Sequence, residues 1–231
     1  MCERALNVDL LIFDCDGVLV DSEVLAARAY ADVLKEIGVA IPVGVWPQCI
    51  GRKQADIFAI LESAAHREFG HGPRERLWPR TRELFEAELQ PTEGLLQFLE
   101  GSPTRRCVAS SSSPERIRLS LELTGLAPHF EYVYSTQYVA RGKPAPDIFL
   151  YASQKMGADP ARAVVIEDSP PGVEGARAAG AQVIGYIGGA HVDADHGERL
   201  KAAGAHFVAK DWTQIRDYLA KSSVAAYKDV G

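Results

Sequence analysis

Short apolar runs recur along the chain. Each is followed by a turn signal and then by a stretch whose apolar positions repeat every three or four residues. The runs are Leu10–Phe13, Cys107–Ala109, Tyr132–Tyr134, Ala163–Ile166, Val183–Ile187 and His206–Ala209. They are apolar almost throughout rather than alternating, as strands covered on both faces are. Ser113-Pro114-Glu115 reads as an N-cap, an N1 proline and an acidic first turn ahead of Ile117, Leu121 and Leu123. Pro146-Asp147 opens a segment with Ile148, Phe149, Ala152 and Met156 on one face. Strand and helix in alternation predict an α/β fold: a Rossmann-like, doubly wound, mainly parallel sheet with right-handed crossovers.

From about Val24 to Pro91 the alternation stops. Asp21-Ser22 can cap a helix whose apolar face is Ala26, Tyr30, Val33, Leu34 and Ile37, ending at Gly38. Ile57, Phe58, Leu61 and Ala65 mark a second helix, and Leu77, Leu84 and Phe85 a third. The pattern predicts an inserted α-helical cap domain, residues 24–90, in a catalytic core formed by residues 1–23 and 91–231. Linkers are expected near Ser22–Val24 and Gln90–Gly94.

Composition narrows the function classes. The 231 residues are 47% hydrophobic and 24% charged, ordinary for one or two globular domains. A formal net charge of −6 argues against nucleic acid as partner. No apolar run approaches about 18 residues, so no membrane span is expected. The first nine residues hold Glu3, Arg4 and Asp9 and no signal-peptide core. Cys2, Cys15, Cys49 and Cys107 form no C-x-x-C pair, which disfavours a zinc knuckle or disulfide framework and fits a reducing cytoplasm. Without coiled-coil heptads, a monomer is the expectation.

The chemistry gathers at strand ends, where open α/β sheets bind ligands. The first strand runs into Asp14-Cys15-Asp16-Gly17, two carboxylates one residue apart before a glycine that lets the chain turn. By itself this reads equally as a capped turn; a calcium loop would want an acidic twelfth residue, where Leu25 stands. The second strand leads to Ser110 and further hydroxyls, and the fourth to Glu167-Asp168. Gly142-Lys143-Pro144 places a lysine in a stiff loop. Gathered together, four carboxylates repel by about 4 kcal/mol per pair at 4 Å and an effective dielectric of 20. An all-oxygen set with few protein ligands suits Mg²⁺. A hard cation, a lysine, a hydroxyl and a spare carboxylate make up a phosphoryl-transfer kit.

These stretches resemble the four motifs of the haloacid dehalogenase-like superfamily, in its order and spacing. They are Phe13-Asp14-Cys15-Asp16-Gly17-Val18-Leu19-Val20-Asp21-Ser22-Glu23, Ser110, Gly142-Lys143-Pro144-Ala145-Pro146-Asp147, and Glu167-Asp168-Ser169-Pro170-Pro171-Gly172-Val173 through Gly180. Within the superfamily the chain is similar to the bacterial sugar-phosphate phosphatases with a helical cap, the 6-phosphogluconate phosphatase and β-phosphoglucomutase-like group. The resemblance implies Mg²⁺-dependent hydrolysis of a small phosphorylated metabolite, a sugar or sugar-acid phosphate. Asp14 would form an aspartyl-phosphate. Asp16 would protonate the leaving alcohol and then activate water, its carboxyl raised by neighbouring Asp14 and phosphate charge. Ser110 would hold a phosphoryl oxygen, with Ser111 beside it, and Lys143 would bridge nucleophile and phosphoryl group. Mg²⁺ would be held by Asp14, the Asp16 backbone carbonyl and Asp168, with Glu167 at or just behind the metal.

In capped relatives the loop near Gly51-Arg52-Lys53 faces the site, so Gly51, Arg52 and Lys53 are candidate substrate contacts, able to meet a carboxylate or second phosphate. The basic stretch His66, Arg67, His71, Arg74, Arg76, Arg80 and Arg82 reads as a solvated helix face paired with Glu68, Glu75 and Glu83. The alternative function is a β-phosphoglucomutase-like phosphotransferase; those enzymes place a histidine in the first cap helix, where this chain has Ala26. Haloacid dehalogenases lack the second acidic residue, so Asp16 favours phosphate chemistry. A catalytically idle binding protein is disfavoured because every expected catalytic position is filled.

Overall fold

The computed structural model describes residues 8–42 and 44–228. The six apolar runs form six strands: β1 Leu10–Phe13, β2 Arg106–Ser110, β3 Val133–Ser135, β4 Ala163–Glu167, β5 Gln182–Tyr186 and β6 Phe207–Ala209. They pair in parallel in the order β3-β2-β1-β4-β5-β6. The order reverses at β1, so the crevice beyond the carboxyl ends of β1 and β4 is where this fold offers a ligand site.

Both faces of the sheet are covered, which is why the strands are not amphipathic. Leu10 and Ile12 of β1 pack with residues of α6 (Asp147–Met156) and α7 (Pro170–Ala178). Leu11 and Phe13 point the other way, into a cluster with α4 (Leu95–Gly101), α5 (Pro114–Leu123) and α9 (Trp212–Lys228). Phe13 meets Phe130 and Phe98 edge-on at centroid distances of 5.5 and 6.3 Å. The remaining core helix is α8 (His196–Ala202). The cap expected for α5 is present, and α6 opens at Pro146-Asp147 as expected. Ser113 Oγ accepts from the Arg116 amide at 3.3 Å, whereas Pro146 precedes α6 with no side-chain cap.

Between β1 and β2 the described residues hold no strand within the sheet, only α1 (Glu23–Lys35), α2 (Gln54–Ala65), α3 (His71–Glu88), one short 3-10 turn and α4. Tyr30, Phe58, Leu61, Leu77, Leu84 and Phe85 join these helices in a cluster continuous with that of the sheet face. Ion pairs trim the outside: Arg28–Glu88, Arg80–Asp32, Arg76–Glu36 and Arg82–Glu86, all at 2.6–2.8 Å and largely exposed. Such pairs add little stability. They account for Arg76, Arg80 and Arg82 of the basic stretch as a solvated face; of the acids expected as partners, Glu83 pairs with Arg80 at 2.8 Å, and the other pairs go to Asp32, Glu36 and Glu86.

The chain enters and leaves this helical segment at one place. The Asp21 amide donates to the Gln90 carbonyl and the Thr92 amide to the Leu19 carbonyl, both at 3.0 Å. Thr92 Oγ1 then donates to the Val18 carbonyl at 2.7 Å and accepts from Trp212 Nε1 at 3.0 Å. The two crossings are thus pinned to each other and to the core beside the predicted linkers. Cys15, Cys49 and Cys107 are buried free thiols; Cys2 lies outside the described residues. Among the described residues no helix is long and apolar enough to cross a membrane.

Candidate active site

Three strand ends and one loop build the site. β1 ends at Phe13, and Asp14 follows directly, its amide donating to the Ile166 carbonyl of β4 at 3.0 Å. β4 ends in Glu167, with Asp168 next. These two adjacent strands bring one carboxylate oxygen each from Asp14, Glu167 and Asp168 within 4.8 Å of one another, all three residues buried. Lys143, from the loop before α6, donates to Asp14 Oδ1 at 2.8 Å and to Glu167 Oε1. Its ammonium is buried yet held well in its charged form: burial opposes the charge, and Asp14 and Glu167 outweigh burial.

One ammonium does not balance three buried carboxylates. Burial, and the charges of Glu167, Asp168 and Asp16, raise the Asp14 carboxyl well above the ordinary range despite Lys143. Asp168 is raised by burial and by Glu167 in the same way. The cluster therefore fits a bound divalent cation, on two further observations. Asp168 Oδ2 is buried with no hydrogen-bond partner; His191 Nε2 comes within 3.0 Å but off the line of a hydrogen bond. Gly17 at φ +75° keeps the space beside that oxygen clear, since a Cβ there would lie 2.0 Å from it. The donors are all oxygen, as Mg²⁺ prefers. Glu167 has less to offer a metal: Oε1 is taken by Lys143, and Oε2 accepts from the Ser169 amide at 3.0 Å and hydroxyl at 2.9 Å. Its carboxylate orients Lys143 and the turn into α7.

Asp16 stands apart from that cluster. Oδ1 accepts from Ser22 Oγ and from Arg116 Nη2, both at 2.6 Å, and Oδ2 from Ser112 Oγ at 2.5 Å. Ser22 therefore spends its hydroxyl here, and α1 has no side-chain cap, contrary to the sequence expectation. Burial pushes the Asp16 carboxyl up, but Arg116, Ser112 and Ser22 together hold it below the ordinary value. This corrects the expectation of a raised carboxyl in the free protein: the Arg116 guanidinium and two hydroxyls outweigh burial. Ser110, at the end of β2, accepts from the Ser112 amide at 3.0 Å. Ser111 Oγ donates to the Gly51 carbonyl at 3.2 Å.

The helical segment closes over these groups. Gly51, at φ +74°, lies so near the α7 turn that a Cβ would be 2.3 Å from Ser169 Oγ. Arg52 donates Nε to the Gln48 carbonyl at 2.9 Å, and the Lys53 side chain lies across Gly142. Arg52, Lys53, Arg74 and Arg116 line a cavity of about 510 Å³ that reaches Ser111–Ser113 and contains no carboxylate in its wall. Arg74 is matched by Glu62 at 2.8 Å and Arg116 by Asp16. Arg52 and Lys53 have no carboxylate partner among the described residues.

Sequence reasoning missed Arg116 and His191, and weighed Ser112 only as a stand-in for Ser110, not as a partner of Asp16. Arg116 did carry a signal: a cation in the first turn of α5 opposes the helix dipole and wants a reason. Ser112 and His191 carried none, since both depend on long-range approach.

The comparisons with known proteins agree with this geometry. A family model described as haloacid dehalogenase-like hydrolase matches residues 8–180. The chain is 27% identical over 192 residues to the 6-phosphogluconate phosphatase of Escherichia coli K12, covering 80% of this chain and 85% of that one. It is 29% identical over 207 residues to a phosphorylated carbohydrates phosphatase of Thermotoga maritima, covering 88% and 94%. A crystal structure of a conserved haloacid dehalogenase-like protein of unknown function from Agrobacterium tumefaciens superposes with TM-score 0.82 at 36% identity, covering 93% of this chain and 98% of that one. Sheet order, site and matches converge, and the chain belongs to the haloacid dehalogenase-like hydrolase family, among its phosphomonoester hydrolases.

Proposed function

We propose that the chain is a Mg²⁺-dependent phosphatase that hydrolyses a small sugar or sugar-acid phosphate through an aspartyl-phosphate on Asp14. The observation that carries this is the convergence of Asp14, Asp168 and Lys143 with Asp16 beside them, each on a different task. Asp14, the Asp16 backbone carbonyl and Asp168 would hold the ion, with Glu167 behind them. Bound there, it neutralises the carboxylates and polarises a phosphoryl oxygen.

An Asp14 oxygen attacks phosphorus while Lys143 screens the repulsion between carboxylate and phosphate. The P–O ester bond breaks, its electron pair goes to the leaving oxygen, and Asp16 supplies that oxygen's proton. Asp16, now a carboxylate, takes a proton from water as the water oxygen attacks phosphorus. The Asp14–phosphate bond breaks and inorganic phosphate leaves. The Arg116, Ser112 and Ser22 bonds favour the carboxylate form of Asp16 that this second step needs. An arriving phosphate dianion raises its proton affinity for the first. Ser110 holds a phosphoryl oxygen and Ser111 lies beside it.

Residues 24–90 act as a cap over a core of 1–23 and 91–231. The 510 Å³ cavity lies between them, and its unmatched Arg52 and Lys53 suit a leaving group with a carboxylate or second phosphate. The names of the curated relatives support a phosphorylated carbohydrate as substrate. Ala26, where the mutase-like alternative wants a histidine, supports hydrolysis over phosphotransfer. The test is phosphate release across a panel of phosphosugars with Mg²⁺ and with chelator, beside an assay converting glucose-1-phosphate to glucose-6-phosphate. Mg²⁺-dependent phosphate release supports the reading; isomer interconversion without free phosphate overturns it.

A further inference from the structure

The segment that runs from β5 into α8 brings two histidines onto Asp168. His196 Nε2 lies 2.5 Å from the Asp168 backbone carbonyl, and its Nδ1 lies 2.9 Å from Arg199 Nη2. Arginine only donates, so Nδ1 accepts and Nε2 carries the proton to the carbonyl. His191 stands edge-on to that ring at a centroid distance of 5.6 Å, and its Nε2 lies 3.0 Å from Asp168 Oδ2. The His191 side chain is 2% exposed. Both of its nitrogens and Asp168 Oδ2 are buried without a hydrogen-bond partner among the described residues. Unpaired buried polar groups are costly, and three of them at one contact mark a place kept for something other than stability.

We propose that His191 is a positioning residue for the metal site: its Nε2–H bonds the Asp168 carboxylate, fixes the orientation in which that carboxylate receives the cation, and thereby sets the affinity for Mg²⁺. This rests on the reading that Asp14 and Asp168 hold Mg²⁺. His191 acts through Asp168 rather than as a ligand itself, because the ligand atoms that lie within 4.8 Å of one another come from Asp14, Glu167 and Asp168 and not from His191.

The surroundings of the ring point to this task. Two glycines keep its place open: a Cβ on Gly189 would lie 2.8 Å from both Cε1 and Nδ1, and one on Gly17 would lie 2.9 Å from Cε1. The segment is tied down on either side of His191, by the Ala190 amide donating to Asp21 Oδ1 at 2.9 Å and by the His196 bond. Among the described residues Asp168 is the only acid within 4.0 Å of a His191 nitrogen. Burial lowers the proton affinity of the ring below its ordinary value, which favours the neutral form with a single N–H. A carboxylate already oriented by such a donor gives up less freedom when it takes an ion, which is how groups behind metal ligands tune affinity.

Calorimetric titration of Mg²⁺ into the substrate-free protein tests this on wild type, His191→Phe and His191→Gln, with urea unfolding of each in chelator beside it. His191→Phe keeps a ring in the slot and removes both nitrogens; its Mg²⁺ affinity is expected to fall by about tenfold to a hundredfold. His191→Gln returns an amide N–H near the place of Nε2 and is expected to bind at least about threefold more tightly than His191→Phe. In chelator His191→Phe should unfold at a urea midpoint no lower than wild type, since it leaves no nitrogen unpaired. Should its midpoint fall instead, its loss of affinity supports the proposal only if His191→Gln recovers that affinity. A His191→Phe affinity within about threefold of wild type, as for a residue that merely fills the slot, overturns the proposal. So does a His191→Gln affinity no better than that of His191→Phe. A wild type that takes up no Mg²⁺ refutes the metal reading itself, and this proposal with it.

Discussion

Replacing Glu23 by glutamine removes a titratable group while keeping its shape, and the structure sets the size of the effect. The Glu23 carboxyl is buried and pushed up to about 8 from an ordinary 4.5. The folded protein therefore binds this proton more tightly than the unfolded chain does. Below about pH 4.5 both states hold the proton and the group is neutral to stability. As pH rises from there toward 8, the unfolded chain ionises freely while the folded protein resists, so stability falls; above about 8 the loss is complete. At about 1.36 kcal/mol per pK unit, a shift of roughly 3.5 units amounts to about 5 kcal/mol. Glutamine never pays this penalty. Glu23→Gln should equal wild type to within about 1 kcal/mol at pH 5 and exceed it by about 3 kcal/mol at pH 7. Urea unfolding of both proteins at the two pH values, with chelator present, measures this. Asp14 titrates in both proteins, and Asp168, whose charge helps to raise Glu23, ionises more readily in the variant, so part of the difference passes through it. A gap that does not widen with pH, or a wild type the more stable at pH 7, refutes the reasoning.

Further outcomes follow from the same geometry. Asp16→Asn removes the proton donor, so kcat/KM should fall most for alkyl phosphates and least for p-nitrophenyl phosphate, whose leaving group needs no proton; equal losses on both contradict the acid role. Lys143→Met strands two buried carboxylates, and urea unfolding at pH 7 should record a loss of about 3–5 kcal/mol, shrinking toward pH 5 as the raised Asp14 carboxyl gains its proton. Gly17→Ala forces a Cβ against Asp168 Oδ2 from a left-handed backbone. It should cost about 1–3 kcal/mol in stability and weaken Mg²⁺ binding measured by calorimetry.

Much of this was legible in the sequence because it is local. Strands buried on both faces must be apolar throughout, and six such runs became the six strands. Ser113 caps α5 because a hydroxyl, a proline and an acid in succession admit few other readings. Asp14, Glu167 and Asp168 follow the strand-end rule, and a parallel sheet brings adjacent strand ends together; Lys143 was legible as a lysine in a stiff loop. What stayed hidden depends on approach between distant segments. Ser22 looks like a helix cap until Asp16 is seen to take its hydroxyl at 2.6 Å. Arg116, a hundred residues from Asp16, reverses the direction of that carboxyl's shift. Arg74 and Arg80 look alike in sequence, yet Arg74 lines the cavity while Arg80 serves surface pairs.

The covalent step at Asp14 is tested most directly by trapping. Enzyme turning over a phosphosugar with Mg²⁺ is quenched in acid, reduced with borohydride and digested, and the peptide carrying residue 14 is read by mass spectrometry. An acyl phosphate on Asp14 is reduced to homoserine, so homoserine at position 14, absent without substrate and in Asp14→Asn, is the predicted result. Unmodified Asp14 under steady turnover, together with an active Asp14→Asn variant, would contradict the account.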